Sequence, residues 1–380
     1  MGGNSSVSAK IGILGGGQLG RMLLQKAADW NLVTRVLDPD PSAPCRELAS
    51  RFLTGHFQDE ETVFEFGREL DLVTIEIEHV NTKALFRLEA AGVPVFPQPR
   101  VIELIQDKGA QKAFFQEHGI PTAPFRLVGD RSELLFHPPA LPVMQKLRRG
   151  GYDGKGVQPL RVEADLANAF DAPSVLESWV PFEQEIAVIV ARNRKGQCKA
   201  FPPVAMDFNK EANLVEFLYS PAGLPQTVAA EAERIARQVA EALGIVGVLA
   251  VEMFLTPAGG LLVNELAPRP HNSGHHTIEG NVTSQYEQHL RAILDLPLGD
   301  TSMVLPSVMV NLLGEKGFEG PAIYERLEEA LAIPGVHVHL YGKAVTKPFR
   351  KMGHVTICHE DINEARRIAR QVNSLLKVKA

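Results

Sequence analysis

An α/β chain of more than one domain is what this sequence predicts. Three observations carry that reading. From Ile11 to Phe96, short apolar, β-branched runs alternate with helix-length amphipathic segments, the pattern of a parallel sheet covered on both faces. The first of those runs ends in a glycine-rich turn, Gly15–Gly20, that opens directly into a helix. Later, Val248–Leu255 and Leu261–Leu266, joined by Thr256–Gly260, read as an antiparallel hairpin, so the chain is α+β as a whole.

At 380 residues the chain exceeds what one core usually spans, so about two or three domains are expected. A hydrophobic content of 45% with 22% charged residues describes an ordinary globular protein. A net charge of −6 gives no case for nucleic acid as the partner. No apolar run reaches membrane-spanning length. Cys45, Cys198 and Cys358 lie far apart, which suits neither a disulfide framework nor a zinc site and points to a reducing, cytoplasmic compartment. Residues 1–10 (MGGNSSVSAK) are small and polar, a flexible leader or expression remnant rather than a secretory signal.

Taken in order, Ile11–Leu14 is a strand, Gly15–Gly20 its turn, and a helix follows from Arg21. The turn fits G-x-G-x-x-G, and Asp38 ends the next strand, Thr34–Leu37, at the distance of a ribose-binding acid. This Rossmann-like unit continues with a helix (Asp59–Leu70), a strand (Leu72–Ile77), a helix (Thr82–Ala91) and a strand (Val93–Phe96). Glu76, Glu78 and His79 stand at a strand's carboxyl end, where open α/β sheets bind ligands, so Glu76 is a candidate contact. Pro97–Pro99 marks a joint, and Val101–His118 reads as one long helix.

Pro142–Leu147 is a strand carrying Lys146, whose charge in an apolar run asks for an anionic partner. It leads into a glycine loop through Gly151, Tyr152, Asp153, Gly154, Lys155, Gly156 and Val157, able to fold over a polyphosphate. Ser174–Val190 supplies two more strands, with Glu177, Ser178, Trp179 and Val180 at their junction and Glu185 beyond, a plausible seat for adenine and ribose. A helix over Ala229–Leu243 precedes the hairpin, and Thr283–Leu294 is helical after it. Beyond the linker Leu296–Asp300 come a strand (Val304–Leu313), a helix (Pro321–Leu331), strands at Val336–Tyr341 and Gly353–Cys358, and a helix (Glu364–Leu376). Lys343, Lys347, Arg350 and Lys351 form a basic cluster, either a solvated loop or a phosphate anchor.

Pairing Leu255 with Leu262 across the hairpin sets Glu252 opposite Glu265. Directly opposed carboxylates repel, and a divalent cation between them removes the conflict; two solvent-facing glutamates on an edge hairpin are the plainer alternative. Asn264, Arg269, His271, Asn272 and Ser273 leave the hairpin as a polar loop of mixed sign. Strict alternation sends Asn264 to the other face from Glu265, so a bulge or twist is needed for both to serve one metal.

Lys108, Lys146, GGYDGKG, Glu177–Val180, Glu185, Glu252 and Asn264-Glu265 occur in the order found in ATP-grasp enzymes. More narrowly, GGGQLGRM (15–22), EIEHV (76–80), GGYDGKG (150–156), NELAPRPHNSGH (264–275) and RKMGHVT (350–356) make the chain resemble the 5-(carboxyamino)imidazole ribonucleotide synthase family. One departure is the segment 201–206, which lacks an acidic or histidine side chain. The resemblance implies an ATP-grasp fold in three units: an N-terminal domain over 11–105, an ATP-grasp domain over 106–299 with a lid at about 125–185, and a C-terminal domain over 300–380. It implies ATP-driven carboxylation of aminoimidazole ribonucleotide with bicarbonate through carboxyphosphate, in purine biosynthesis, by a homodimer.

It also implies roles. Glu252 and Glu265 hold Mg2+, with Mn2+ as the alternative. Lys108 and Lys146 contact phosphates, Glu177, Val180 and Glu185 bind the adenosine part, and the loop Gly151–Val157 closes over ATP. Gln18, Leu19, Lys343 and Arg350 hold the ribonucleotide phosphate and Glu76 its ribose. Tyr152 and Asp153 face the imidazole, Arg269 and His271 orient bicarbonate or carboxyphosphate, and Asp153 with Lys343 handles the amine proton. Rival readings are a formate-using glycinamide ribonucleotide transformylase, which shares the nucleotide site, a dinucleotide-dependent oxidoreductase, which uses only Gly15–Gly20 and Asp38, and a catalytically silent binding protein.

Overall fold

In the computed structural model, which describes residues 9–151, 156–209 and 214–380, the first apolar run is the central strand, Lys10–Leu14, of a five-stranded parallel sheet. Val33–Asp38 and Arg51–Thr54 lie to one side of it, Leu72–Ile75 and Val95–Phe96 to the other. The chain therefore reverses direction across the sheet at its first strand, and the turn Gly15–Gly17 sits at the switch point where such sheets bind ligands. Ile11, Ile13, Leu14, Val73 and Ile75 are fully buried, as a sheet covered on both faces requires. The edge strand Arg51–Thr54 has no signature of its own; pairing with Arg35–Asp38 makes it a strand.

The single helix expected over Val101–His118 is two, Pro99–Ile105 and Lys108–Glu117. Asp107 divides them. Its Oδ1 accepts hydrogen bonds from the amides of Gly109 (2.9 Å) and Ala110 (3.2 Å), capping the second helix. Both its oxygens also take the Arg148 guanidinium, at 2.8 and 2.7 Å. The apolar period runs through the break because both helices bury the same side; the aspartate before Lys108 is the local signal for the new start.

Two antiparallel sheets follow. The smaller has four strands, in the order Phe125–Val128, Ser174–Ser178, Val143–Leu147, Val157–Leu160. The larger, nine-stranded sheet begins with the hairpin strands Leu261–Ala267 and Gly247–Leu255 and continues through Gln184–Arg192, Val204–Asn209 and Leu214–Ser220. It then runs without interruption into Ser307–Leu313, Lys351–Cys358 and Val336–Leu340, while Cys198–Ala200 pairs at the side of Gln184–Arg192. The helix Gln226–Leu243 packs Ile235, Ala236, Val239 and Leu243 onto this sheet and ends at Gly244, whose φ of +60° suits glycine.

The helix expected over Pro321–Leu331 is largely a correction: only Leu327–Leu331 is helical. Gly320–Pro321 pairs with Val345–Thr346, and Ile323–Glu325 pairs with the C-terminal strand Lys377–Lys379. These partners are distant in sequence, so no local pattern announces them.

The units share core. Met22, Leu23 and Ile13 from the first sheet's side pack with Val246, Tyr286, Leu290 and Tyr341. The buried His289 joins two sheets directly, its Nε2 2.8 Å from Thr74 Oγ1 and its Nδ1 accepting from the Val248 amide at 3.3 Å. Among the described residues no helix is long and apolar enough to cross a membrane.

Candidate active site

The hairpin Gly247–Leu255/Leu261–Ala267 carries the two glutamates. At the turn Leu255 pairs with Leu261, one residue away from the expected register. A bulge then intervenes, and Glu252 faces Glu265 as expected. Asn264 is the extra residue, and a bulge places two side chains of one strand opposite one of the other. This is how Asn264 and Glu265 both line the cleft that Glu252 also lines. The cleft, about 470 Å³, lies between the four-stranded sheet and the hairpin end of the large sheet.

Lysines meet these oxygens. Lys108 Nζ lies 2.6 Å from Glu265 Oε2, and Lys146 Nζ donates to Asn264 Oδ1 at 2.7 Å. Lys146 also lies 2.9 Å from Glu177 Oε2, while Lys112 Nζ lies 3.1 Å from Glu177 Oε1. Lysine 146 thus finds the anionic partner its place in an apolar strand demands. Lys112 is absent from the sequence reading, although its position one helical turn after Lys108 puts both on one face.

Burial, then the neighbouring Glu265 and Glu185, push the Glu252 carboxyl well above the usual range, whereas Lys108 holds Glu265 well below it. Glu185 is pushed up by burial to about 7. Burial works against the charge of Glu177, but Lys146 and Lys112 outweigh it and hold that carboxyl low. Burial pulls Lys112 down to about 8. His271 is pulled down to about 3 by burial, with Arg269 and Lys351 adding to it, so its ring is neutral. The Ser273 amide donates to His271 Nδ1 at 3.3 Å, which puts the ring proton on Nε2, 3.5 Å from Glu252 Oε1.

At the other end the cleft is apolar. Phe182 stacks on Phe254 with centroids 4.7 Å apart, and Met144, Phe208, Leu214 and Val215 continue the wall. Ser178, Trp179, Val180, Val157 and Gly151 line it too. Gly156, at a φ of +72°, needs glycine and stands just before the strand Val157–Leu160. The phenylalanines are missing from the sequence reading because Phe182, in the loop before Gln184–Arg192, meets Phe254 only when the sheet sets that strand beside Gly247–Leu255. Tyr152, Asp153, Gly154 and Lys155 lie outside the described residues.

A second group of the expected residues gathers at the first sheet's switch point rather than in the cleft. The Gly17 and Gly20 amides donate to Glu76 Oε1 and Oε2 at 3.0 and 3.1 Å. The Gly16 amide donates to Asp38 Oδ2 at 2.6 Å. The protein's own carboxylates therefore fill much of the glycine turn, and Asp38, committed to the Gly16 and Asp40 amides, is ill placed to grip a dinucleotide ribose. Leu19 is buried, so its side chain belongs to the core. Lys343 donates to the Lys351 carbonyl at 2.7 Å and Arg350 to the Val345 carbonyl at 2.6 Å. Arg269 lies between the two groups, 2.8 Å from Glu78 and close enough to act on both Glu76 and His271. Lys351, beside Asn272 and His271, is a further cation of the cleft.

Among the described residues no group of three or more His, Cys, Asp or Glu side chains is arranged to hold a metal alone. Glu252, Glu265 and the Asn264 amide nevertheless form an all-oxygen set. Such a set fits a hard divalent cation that takes its other ligands from phosphates and water. The half-buried Glu252 carboxyl, set directly opposite Glu265 across the hairpin, favours one.

Three family models match the chain: a ribonucleotide synthetase preATP-grasp domain over residues 8–106, an ATP-grasp domain over 113–286, and a phosphoribosylaminoimidazole carboxylase C-terminal domain over 307–368. The N5-carboxyaminoimidazole ribonucleotide synthase of Bacillus subtilis is 39% identical, over 94% of this chain and 93% of its own. The chloroplastic phosphoribosylaminoimidazole carboxylase of Vigna aconitifolia is also 39% identical, but this chain spans only 63% of its length. The crystal structure of N5-carboxyaminoimidazole ribonucleotide synthetase from Thermotoga maritima superposes with a TM-score of 0.90 at 43% identity, covering 98% of this chain and 99% of that one. The Aspergillus clavatus enzyme in complex with ADP and 5-aminoimidazole ribonucleotide gives 0.88 at 34% identity, covering 97% and 98%.

Proposed function

Because this chain belongs to the N5-carboxyaminoimidazole ribonucleotide synthase family of ATP-grasp ligases, we propose that it uses ATP to carboxylate the exocyclic amine of 5-aminoimidazole ribonucleotide, a step of purine biosynthesis. The observation that carries the reading is the bulged hairpin, which presents Glu252, Asn264 and Glu265 together to a cleft with Lys108 and Lys146. Adenine enters the apolar end between Phe182, Phe254 and the Glu177–Val180 segment, with Glu185 at the ribose. The triphosphate runs toward Lys108, Lys146 and the hairpin. Glu252 and Glu265 would hold a magnesium ion, or manganese in its place, and the ion would supply neutralisation of the β- and γ-phosphate charge.

In the chemistry, a bicarbonate oxygen takes the γ-phosphoryl group, giving carboxyphosphate and ADP. The substrate amine then forms the new N–C bond as the C–O bond to phosphate breaks, and phosphate leaves with its electron pair. Arg269 and the neutral His271 orient the bicarbonate. The amine proton is handled by Asp153 and Lys343. The loop Gly151–Val157 closes over the nucleotide, since carboxyphosphate is lost to water if exposed. At the switch point the Gln18 and Leu19 amides, in the first turn of a helix where no intrahelical partner exists, receive the ribonucleotide phosphate with Lys343 and Arg350. Glu76 keeps a second lone pair on each oxygen for the ribose. We take residues 11–105, 106–299 and 300–380 as the functional units of a cytoplasmic homodimer.

ADP release in the presence of aminoimidazole ribonucleotide and bicarbonate tests this. Release should require both. ADP formed instead from formate with glycinamide ribonucleotide would move the protein to the sister transformylase reading.

A further inference from the structure

Two lysines converge on one buried carboxylate, and only one of them reaches the cleft. Lys146, which lines it, runs from Glu177 Oε2 at 2.9 Å to Asn264 Oδ1 at 2.7 Å. Lys112, 2% exposed and not part of the lining, runs from Glu177 Oε1 at 3.1 Å to Thr122 Oγ1 at 2.6 Å. Thr122 in turn donates to the Val263 carbonyl at 2.7 Å, and the Val263 amide donates to the Pro121 carbonyl at 2.7 Å. Two parallel bridges therefore link Glu177, on the four-stranded sheet, to the adjacent residues 263 and 264 of the carboxylate hairpin.

Packing alone does not ask for the inner bridge. Lys146 already neutralises Glu177, and a second buried ammonium carries a desolvation cost that an apolar side chain of similar volume avoids. What the second ammonium adds is geometry. It engages the carboxylate oxygen that Lys146 leaves open, stopping the carboxylate from turning, and it fixes the spacing between the two sheets that Lys146 spans.

We propose that Lys112 is a positioning residue for nucleotide binding: acting through Glu177 and Thr122, it holds the Lys146 ammonium on the cleft floor where the ATP phosphates arrive. This rests on the reading of the cleft as an ATP site. The test is the affinity for ATP in excess magnesium, measured by calorimetry on the full chain, with thermal melting recorded for every variant. Lys112→Met should weaken ATP binding by about tenfold at temperatures well below its melting point. Thr122→Val, nearly isosteric, should weaken it in the same direction by about threefold. In a Lys146→Met background, Lys112→Met should add nothing, because the residue it positions is gone.

A folded Lys112→Met protein that binds ATP as the wild type does would overturn the inference. So would an equal loss of affinity in the Lys146→Met background. A purely structural lysine would lower the melting point and leave affinity unchanged. Should Lys112→Met not fold, Thr122→Val decides, and wild-type affinity there overturns the proposal. A folded wild type that binds no ATP would overturn this inference and the nucleotide reading together.

Discussion

Glu265 takes part in two opposing relations, attracted by Lys108 at 2.6 Å and repelled by Glu252 across the hairpin. Replacing it with glutamine keeps the volume and removes the charge. Glu265→Gln should lower kcat by about 100-fold or more with an unchanged far-UV circular dichroism spectrum; near-normal turnover would remove the metal assignment. At the other end of the cleft, Phe182 is 45% exposed and stacks on Phe254. Phe182→Ala removes one aromatic wall of the proposed adenine site, a contact worth about 1 kcal/mol, so KM for ATP should rise by about fivefold with kcat little changed. Steady-state kinetics at saturating ribonucleotide separate the two parameters.

At the scale of elements, the two decisive features are interruptions. The bulge at Asn264 restores the pairing of Glu252 with Glu265 after the turn has set a different register. The break at Asp107 lets Lys108 begin a new helix aimed at the hairpin. Asp107 caps that helix and holds Arg148, which continues from the Lys146 strand toward the glycine loop. Asp107→Ala loses a cap and a bidentate ion pair, and urea unfolding should show a loss of about 2–4 kcal/mol. A change below about 0.5 kcal/mol would mean that neither contact persists in solution.

For the whole molecule, His289 ties the parallel sheet to the large one. Burial pulls this imidazole down to about 3, below its value near 6.5 in the unfolded chain. Between those values the unfolded state binds the extra proton. The stability that neutral His289 contributes is therefore present above pH 6.5 and lost as pH falls toward 3. Wild-type melting temperature should drop across that interval. His289→Leu, which leaves Thr74 Oγ1 and the Val248 amide without their partner, should be less stable at pH 7.5 by about 2–4 kcal/mol and less sensitive to acid. An acid limb unchanged by the substitution would assign that limb to other groups.

The sequence by itself determined the parallel sheet and the hairpin, because each is written in local periodicity and turn chemistry, and it named the two glutamates, whose pairing depends on the bulge at Asn264. The partners of Lys146 and the bulge were legible only as requirements: an apolar strand carrying a lysine must supply an anion, and two neighbouring residues share a face only if the alternation is broken. Tertiary structure alone decided which anion and which residue, Glu177 and Asn264. It also brought in Lys112, Phe182 and Phe254, turned the expected helix at Pro321 into strands, and closed much of the glycine turn with Glu76 and Asp38. The physical reason is common to all of these. Pairing energies between groups far apart in the chain outweigh local propensity, and nothing within one stretch of chain records which distant stretch will lie beside it.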